Sequence, residues 1–245
     1  MARKFYLESS TGYQIGQTIT LTDDEFVHIA KVMRFSVGEI FTLIDGFGYE
    51  YDCKIENINK KDMQAVVIQK TKAQTETNHN VTVFQALVKG DKFELITQKL
   101  TELGVNKIVP FESKFCQVKS NTTRLDRLEK ISIEALKQCG RAKKVQIEKI
   151  LSFDEMLKQL ESYDKVIFAY ENSTENFSAE SFDKNDQNIA IVIGSEGGFS
   201  LTEMEKLKQQ KNVKTVSLGK RILRAETAAI SLTSVVMFLL NEWQV

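Results

Sequence analysis

The spacing of hydrophobic positions changes character near residue 72. Upstream, Ile40–Asp45, Tyr49–Ile55 and Gln64–Gln69 are short runs rich in β-branched and aromatic residues, separated by the turn sequences Asp45-Gly46-Phe47-Gly48 and Asn57–Asp62. They predict a small β domain over residues 1–72. One helix should interrupt it. Thr22 and Glu25 have capping-box spacing, and Phe26, Ile29, Ala30 and Met33 then recur on one face, leaving His28, Lys31 and Arg34 off it. The polar stretch Thr71–Asn80 has no apolar period and reads as a linker.

Downstream, residues 73–245 alternate between the two periods. Strands are expected at Val81–Val88, Lys107–Phe111, Lys165–Tyr170, Asn188–Ile193 and Thr215–Leu218. Helices are expected at Asp91–Leu103, about Thr122–Gln138, from Leu201, and at Glu226–Trp243. Such alternation predicts an α/β domain with a parallel sheet covered by helices.

Composition narrows the function classes. The 245 residues are 42% apolar and 27% charged, which describes a folded chain rather than a disordered one. Basic and acidic residues balance at 33 each, so a polyanion footprint must be local. It is: residues 107–149 hold 11 basic against 5 acidic side chains, whereas 150–187 hold 3 against 9. Cys53, Cys116 and Cys139 are dispersed, and His28 and His79 are the only histidines, so neither a disulfide framework nor a metal site is expected. No signal-peptide core precedes the domains and no apolar run reaches membrane length, which predicts a cytoplasmic protein.

Three segments carry candidate chemistry. Ile193–Ser200, IGSEGGFS, lies between a strand and a helix, and its glycines allow close backbone approach to a ligand; a tight strand-to-helix turn is the bland alternative. Leu218–Ile230, LGKRILRAETAAI, sets Arg221 and Arg224 beside a strand end, where guanidinium groups can bind phosphate or stabilise an oxyanion. Glu226 can instead neutralise one of them as a structural pair. In Lys89–Lys99, KGDKFELITQK, the residues Lys89, Lys92 and Lys99 can face one groove or simply form a wet helix face.

Together with QKLTELGV, KQCGR at Lys137–Arg141 and HIAKVMR at His28–Arg34, these motifs resemble, in order and over the whole chain, the RsmE family. Its members are uridine-N3 methyltransferases of 16S ribosomal RNA within the SPOUT class. The resemblance implies an N-terminal PUA-like RNA-binding barrel and a SPOUT-type domain with a trefoil knot. It also implies S-adenosylmethionine held by Ile193, Gly194, Ser195, Glu196, Gly197 and Gly198 of one loop, and by Leu218, Gly219, Ile222, Leu223 and Thr227 of the other. Arg224 and Arg221 are the catalytic candidates, with Glu226 as base or arginine orienter. His28, Arg34, Lys89, Lys92, Lys99, Arg141, Lys143 and Lys144 are the candidate RNA contacts. Three positions depart from the family pattern: Ser195 and Lys220 replace prolines, and Phe115 replaces an arginine.

The family's homodimer has a physical counterpart here. Ala229, Ile230, Leu232, Val235, Val236, Phe238, Leu239 and Trp243 make a stripe too broad for one sheet face. The rival readings are a noncatalytic RNA-binding module, a ribose 2′-O-methyltransferase of the SpoU type, and a uridine C5-methyltransferase using Cys139. Intact loop motifs speak against the first and the missing Asn-Val-Ser signature against the second. N3 transfer needs no cysteine nucleophile, and Cys139 reads as a helix-packing residue.

Overall fold

The computed structural model describes residues 4–119, 123–170, 173–175 and 177–243. The chain divides into two compact units, Met1–Glu76 with Ile133–Lys144, and Thr77–Ser132 with Val145–Val245.

In the first unit, β1 (Lys4–Tyr6), β2 (Thr18–Leu21), β3 (Ile40–Ile44), β4 (Tyr49–Ile58) and β5 (Met63–Lys72) form one curled sheet in the order β1-β3-β4-β5-β2. All pairs are antiparallel except β1 with β3. Alternation does the sorting: Tyr51, Cys53 and Ile55 of β4 and Met63, Ala65 and Val67 of β5 all face the interior. Two register shifts between β4 and β5, at Asp52/Cys53 and Ile55/Asn57, bend the sheet over this core. Strands β1 and β2 escape sequence reading because they are short and gain their identity from their partners.

The expected helix forms, with two corrections. Thr22 does not cap it: the hydroxyl donates to Asp23 Oδ2 at 2.9 Å, and Asp23 takes a left-handed conformation at φ 51°. Glu25 is thereby freed from a capping role and pairs with Lys137 at 2.8 Å. After α1 (Asp23–Phe26) the backbone continues as a π-helical turn over Val27–Val32, whose wider winding breaks the 3.6-residue period. Phe26 and Ile29 are buried as expected, but Met33 is carried out to the surface.

The second unit holds β6 (Asn80–Ala86), α2 (Lys92–Glu102), β7 (Lys107–Glu112), β8 (Gln146–Ile147), β9 (Leu151–Ser152), α4 (Phe153–Leu160), β10 (Lys165–Ala169), β11 (Asn188–Ile193), α5 (Leu201–Lys208), β12 (Val213–Val216) and α6 (Ala225–Leu239). Between β7 and β8 lies α3 (Leu125–Cys139); its expected beginning at Thr122 falls outside the described residues. Helix α4 was not expected, although Ser152 and Glu155 complete a capping box at its start. The sheet is wholly parallel, in the order β12-β10-β11-β6-β7-β8, with β9 also on β7.

Both faces of this sheet are covered, which explains why its strands are nearly continuous in apolar residues. Ile189, Ile191 and Ile193 of β11 face α2 and α6 through Phe93, Ile96, Leu100, Leu232 and Val236. Ala190 and Val192 face the other layer, with Met156, Leu160 and Leu207. After β12 at the sheet edge, α6 returns to pack on α2 and β11. The second unit is a SPOUT-type α/β domain and the first a PUA-like barrel, the fold class that the motifs imply.

Candidate active site

Two loops at the carboxyl ends of the parallel strands wall a cavity of about 450 Å³, within the usual range of roughly 300–1,000 Å³ for small-molecule sites. The first runs from Gly194 at the end of β11 to Ser200. Its far end is pinned by a capping box: Ser200 N–H donates to Glu203 Oε2 at 2.9 Å, and the Ser200 hydroxyl accepts from Glu203 N–H at 3.4 Å. The buried Glu203 also accepts from Lys114 N–H at 2.8 Å. The second loop follows β12. The Ser217 hydroxyl accepts from Gly219 N–H at 3.3 Å, and the loop ends at Arg224, the extended residue preceding α6.

The two motif loops supply most of the wall. Ile193 to Gly198, Leu218, Gly219, Arg221, Ile222, Leu223 and Arg224 all line the cavity. Thr227 and Glu226 do not, because the first turn of α6 presents Ala225 and Ala228 instead. Arg221 and Arg224 form no ion pair among the described residues, so the pairing with Glu226 is not realised; Glu226 Oε2 is buried without a partner. Ala169, Tyr170, Phe199 and Val216 also line the site. Phe199 belongs to the candidate loop Ile193–Ser200, whereas Ala169, Tyr170 and Val216 carry no motif, since only the strand order brings the ends of β10 and β12 there.

Lys92, expected as an RNA contact, belongs to the cavity wall. Its ammonium lies 2.7 Å from Glu196 Oε1, which also accepts from Lys89 N–H at 3.1 Å. Burial alone would raise the Glu196 carboxyl; hydrogen bonds from Lys92 and from backbone amides outweigh it and hold the group below its usual range. This pair ties the first loop to the start of α2. Lys99 meets Glu102 at 2.8 Å on the same helix.

Arg141 is not available to RNA, contrary to expectation. It is 3% exposed, and its guanidinium Nη2 donates to Glu76 Oε2 at 2.8 Å. Glu76 Oε1 meanwhile accepts from Ala142 N–H at 2.9 Å and Lys143 N–H at 3.0 Å. Burial would raise the Glu76 carboxyl, but the guanidinium and both amides hold it down. Arg141 therefore anchors the segment that carries Lys143, which is exposed, and Lys144, which lies 3.5 Å from Glu8. His28 is half-buried, edge-on to Phe5 with ring centroids 5.5 Å apart. Arg34 is exposed and ends the π-helical turn in the left-handed region at φ 59°.

The walls suit the cofactor that the motifs imply. The Ser195 hydroxyl, where the family pattern has proline, is buried with no hydrogen-bond partner. Gly198 and Gly219, at φ 65° and 96°, leave open space where a Cβ would project. Ile222, 89% exposed, is an apolar lid surface for a ligand to cover. Among the described residues, no group of three or more His, Cys, Asp or Glu is arranged to hold a metal ion, and no helix is long and apolar enough to cross a membrane.

Comparison with known proteins agrees with this geometry. Residues 75–237 match the RNA methyltransferase domain family and residues 21–68 the RNA methyltransferase PUA domain family. The ribosomal RNA small subunit methyltransferase E of Bacillus subtilis is 31% identical, with 97% of this chain and 96% of that protein covered. The Rickettsia conorii protein of the same name is 35% identical, covering 87% and 86%. The crystal structure of the Neisseria gonorrhoeae ribosomal RNA small subunit methyltransferase E, bound to S-adenosyl methionine, superposes with a TM-score of 0.86 at 29% identity, covering 98% of each chain. With the match running nearly end to end and both motif loops meeting at one cavity, this chain belongs to the RsmE family of RNA methyltransferases.

Proposed function

We propose that the protein methylates N3 of a uridine in the 16S RNA of the small ribosomal subunit, with S-adenosylmethionine as methyl donor. The observation that carries this reading is the cavity between the two loops, with Arg221 and Arg224 unneutralised on its wall. S-adenosylmethionine would supply an electrophilic methyl group. The loop 193–198, together with Leu218, Gly219, Ile222 and Leu223, would hold it, and the Lys92–Glu196 pair would keep the first loop in place.

Uridine N3 carries a proton at neutral pH, so the chain must favour its loss. A guanidinium beside the base stabilises the negative charge that develops, an effect worth about 10²- to 10³-fold in rate for one oriented donor. Arg224 is the first choice because it sits where the second loop meets α6 and has an unoccupied planar fork. Arg221 is the second donor. Glu226, off the wall and paired with neither arginine, would reach the leaving proton only through water.

The N-terminal unit would grip RNA through His28, Arg34, Lys143 and Lys144, and the second unit would transfer the methyl group. The working form would be a cytoplasmic homodimer, joined over the exposed Val235, Phe238 and Trp243 at the end of α6. The test uses small subunits from a strain lacking the enzyme. Incubation with the protein and S-adenosylmethionine, followed by nucleoside mass spectrometry, should yield 3-methyluridine; methylation at ribose or at C5, or none, overturns the assignment.

A further inference from the structure

Outside the cavity, the turn between β3 and β4 presents an exposed aromatic ring on a stiff mount. Phe47 is 50% exposed, and its backbone is tied down by hydrogen bonds on the turn. Asp45, buried just before it, accepts from Phe47 N–H at 2.7 Å, Tyr49 N–H at 3.1 Å and the Tyr51 hydroxyl at 2.9 Å. All three donors close the turn around one carboxylate. A large apolar side chain on a rigid turn loses little conformational entropy when something stacks on it.

The neighbouring aromatics differ from it. The Tyr49 ring is covered by Lys70, whose ammonium lies 4.6 Å from the ring centroid, and Tyr51 is buried. No cation or second ring covers Phe47 among the described residues.

Two lysines lie on the segment seated against this turn. Lys143 forms isolated bridges with both Gly46 (parallel) and Phe47 (antiparallel), which sets its backbone against the turn. Lys144 N–H donates to Gly46 O at 2.9 Å, and Gly48 N–H donates to Ala142 O at 3.1 Å. Lys144 is partly offset by Glu8, but Lys143 is exposed and its ammonium meets no carboxylate among the described residues. The Arg141–Glu76 anchor holds both lysines against the turn.

An uncovered ring on a stiff turn, with lysines on the segment paired to that turn, is an arrangement that suits an unpaired nucleotide: the base stacks on the ring and the phosphates meet ammonium groups. We propose that Phe47, with Lys143 and Lys144, is a stacking platform for an unpaired base of the RNA substrate. The inference rests on the RNA-methyltransferase reading, but it concerns RNA affinity and not methyl transfer.

The test measures binding of a fluorescein-labelled, twelve-nucleotide single-stranded RNA and of the same sequence as a duplex. Phe47→Ala should weaken single-strand binding roughly 5- to 150-fold, the range for loss of one stacked base, and leave duplex binding nearly unchanged. Phe47→Trp should restore affinity; Phe47→Leu, which keeps apolar area but has no π face, should not. Cofactor affinity by calorimetry and the melting temperature should stay the same in all three. The platform is overturned if Phe47→Ala or Phe47→Leu binds the single strand like the parent, or if the parent does not bind it. Failure of the methylation assay with intact single-strand binding would instead strike the function and leave the platform standing.

Discussion

Replacing Glu76 by alanine should be among the most damaging single changes outside the cavity, and its cost can be argued from the groups left behind. One carboxylate serves the Arg141 guanidinium through Nε at 3.2 Å and Nη2 at 2.8 Å, and the amides of Ala142 and Lys143. Its removal takes this carboxylate from a cation that is almost wholly buried, and breaking such a buried pair costs about 3–5 kcal/mol in proteins generally. The Glu76 side chain keeps 16% of its surface exposed, so water can enter the gap, and the lower end, about 3 kcal/mol, is expected. For a chain of this size that is a fall in melting temperature of roughly 6–12 °C, at about 2–4 °C per kcal/mol. Arg141→Met should cost less, about 1–2 kcal/mol, because Glu76 keeps both amide donors and some hydration. The pair also sets a pH dependence. A carboxyl held below its usual range stabilises the fold fully above about pH 4.3 and loses that contribution as the pH falls through its lowered value. Scanning calorimetry of parent, Glu76→Ala and Arg141→Met between pH 3 and 7 tests all three statements; a Glu76→Ala loss no larger than that of Arg141→Met refutes the reasoning.

Three further outcomes are expected. Arg224→Lys keeps the charge but not the planar fork, and should lower turnover about 10- to 1000-fold while cofactor affinity by calorimetry changes little; raising the pH should partly rescue it, and near-normal turnover would move the role to Arg221. Gly197→Val should abolish cofactor binding by displacing the loop, since a Cβ there would lie 2.7 Å from Phe115 Cβ; Phe115→Gly in the same chain removes that atom and should restore part of it, and a double variant no better than the single one would refute this cause. Phe238→Glu, at a position 63% exposed, should yield monomers by light scattering with methylation lost, whereas a fully active monomer would separate assembly from catalysis. Val236 is unsuitable for that test because it is buried in the core beneath α6.

What could be read from the sequence depended on how local its cause was. Strand β11 and the start of α5 were legible to the residue, because an apolar run, a glycine-rich turn and the Ser200–Glu203 capping box act within a few positions of each other. The Thr22–Glu25 pair has the same spacing and fails, since Glu25 finds a stronger partner in Lys137, far along the chain. Arg141 was misread for a similar reason. A basic segment looks the same in sequence whether its charges are solvated or paired, and Glu76 lies in what the polarity pattern marks as linker. In the cavity, the loop residues carried glycines and arginines that announce themselves, whereas Ala169, Tyr170 and Val216 take part only because parallel strand ends converge.

The first unit is discontinuous in sequence, and this dictates an order of events during synthesis. Ile44 and Ala73 are buried against Leu136 and Ala142, with Tyr6 alongside. A nascent chain that has delivered only residues 1–76 therefore has the barrel strands but nothing to cover that apolar patch, and Glu76 has no guanidinium to meet. Closure must await residue 144, by which time β6, α2 and β7 have left the ribosome and can begin to pair. The barrel strands are thus translated before the second unit, yet the barrel cannot be finished before part of that unit has emerged. An isolated 1–76 fragment should accordingly be sticky and poorly cooperative, and a chaperone that shields the Ile44–Ala73 patch would have its longest opportunity between those two points of translation.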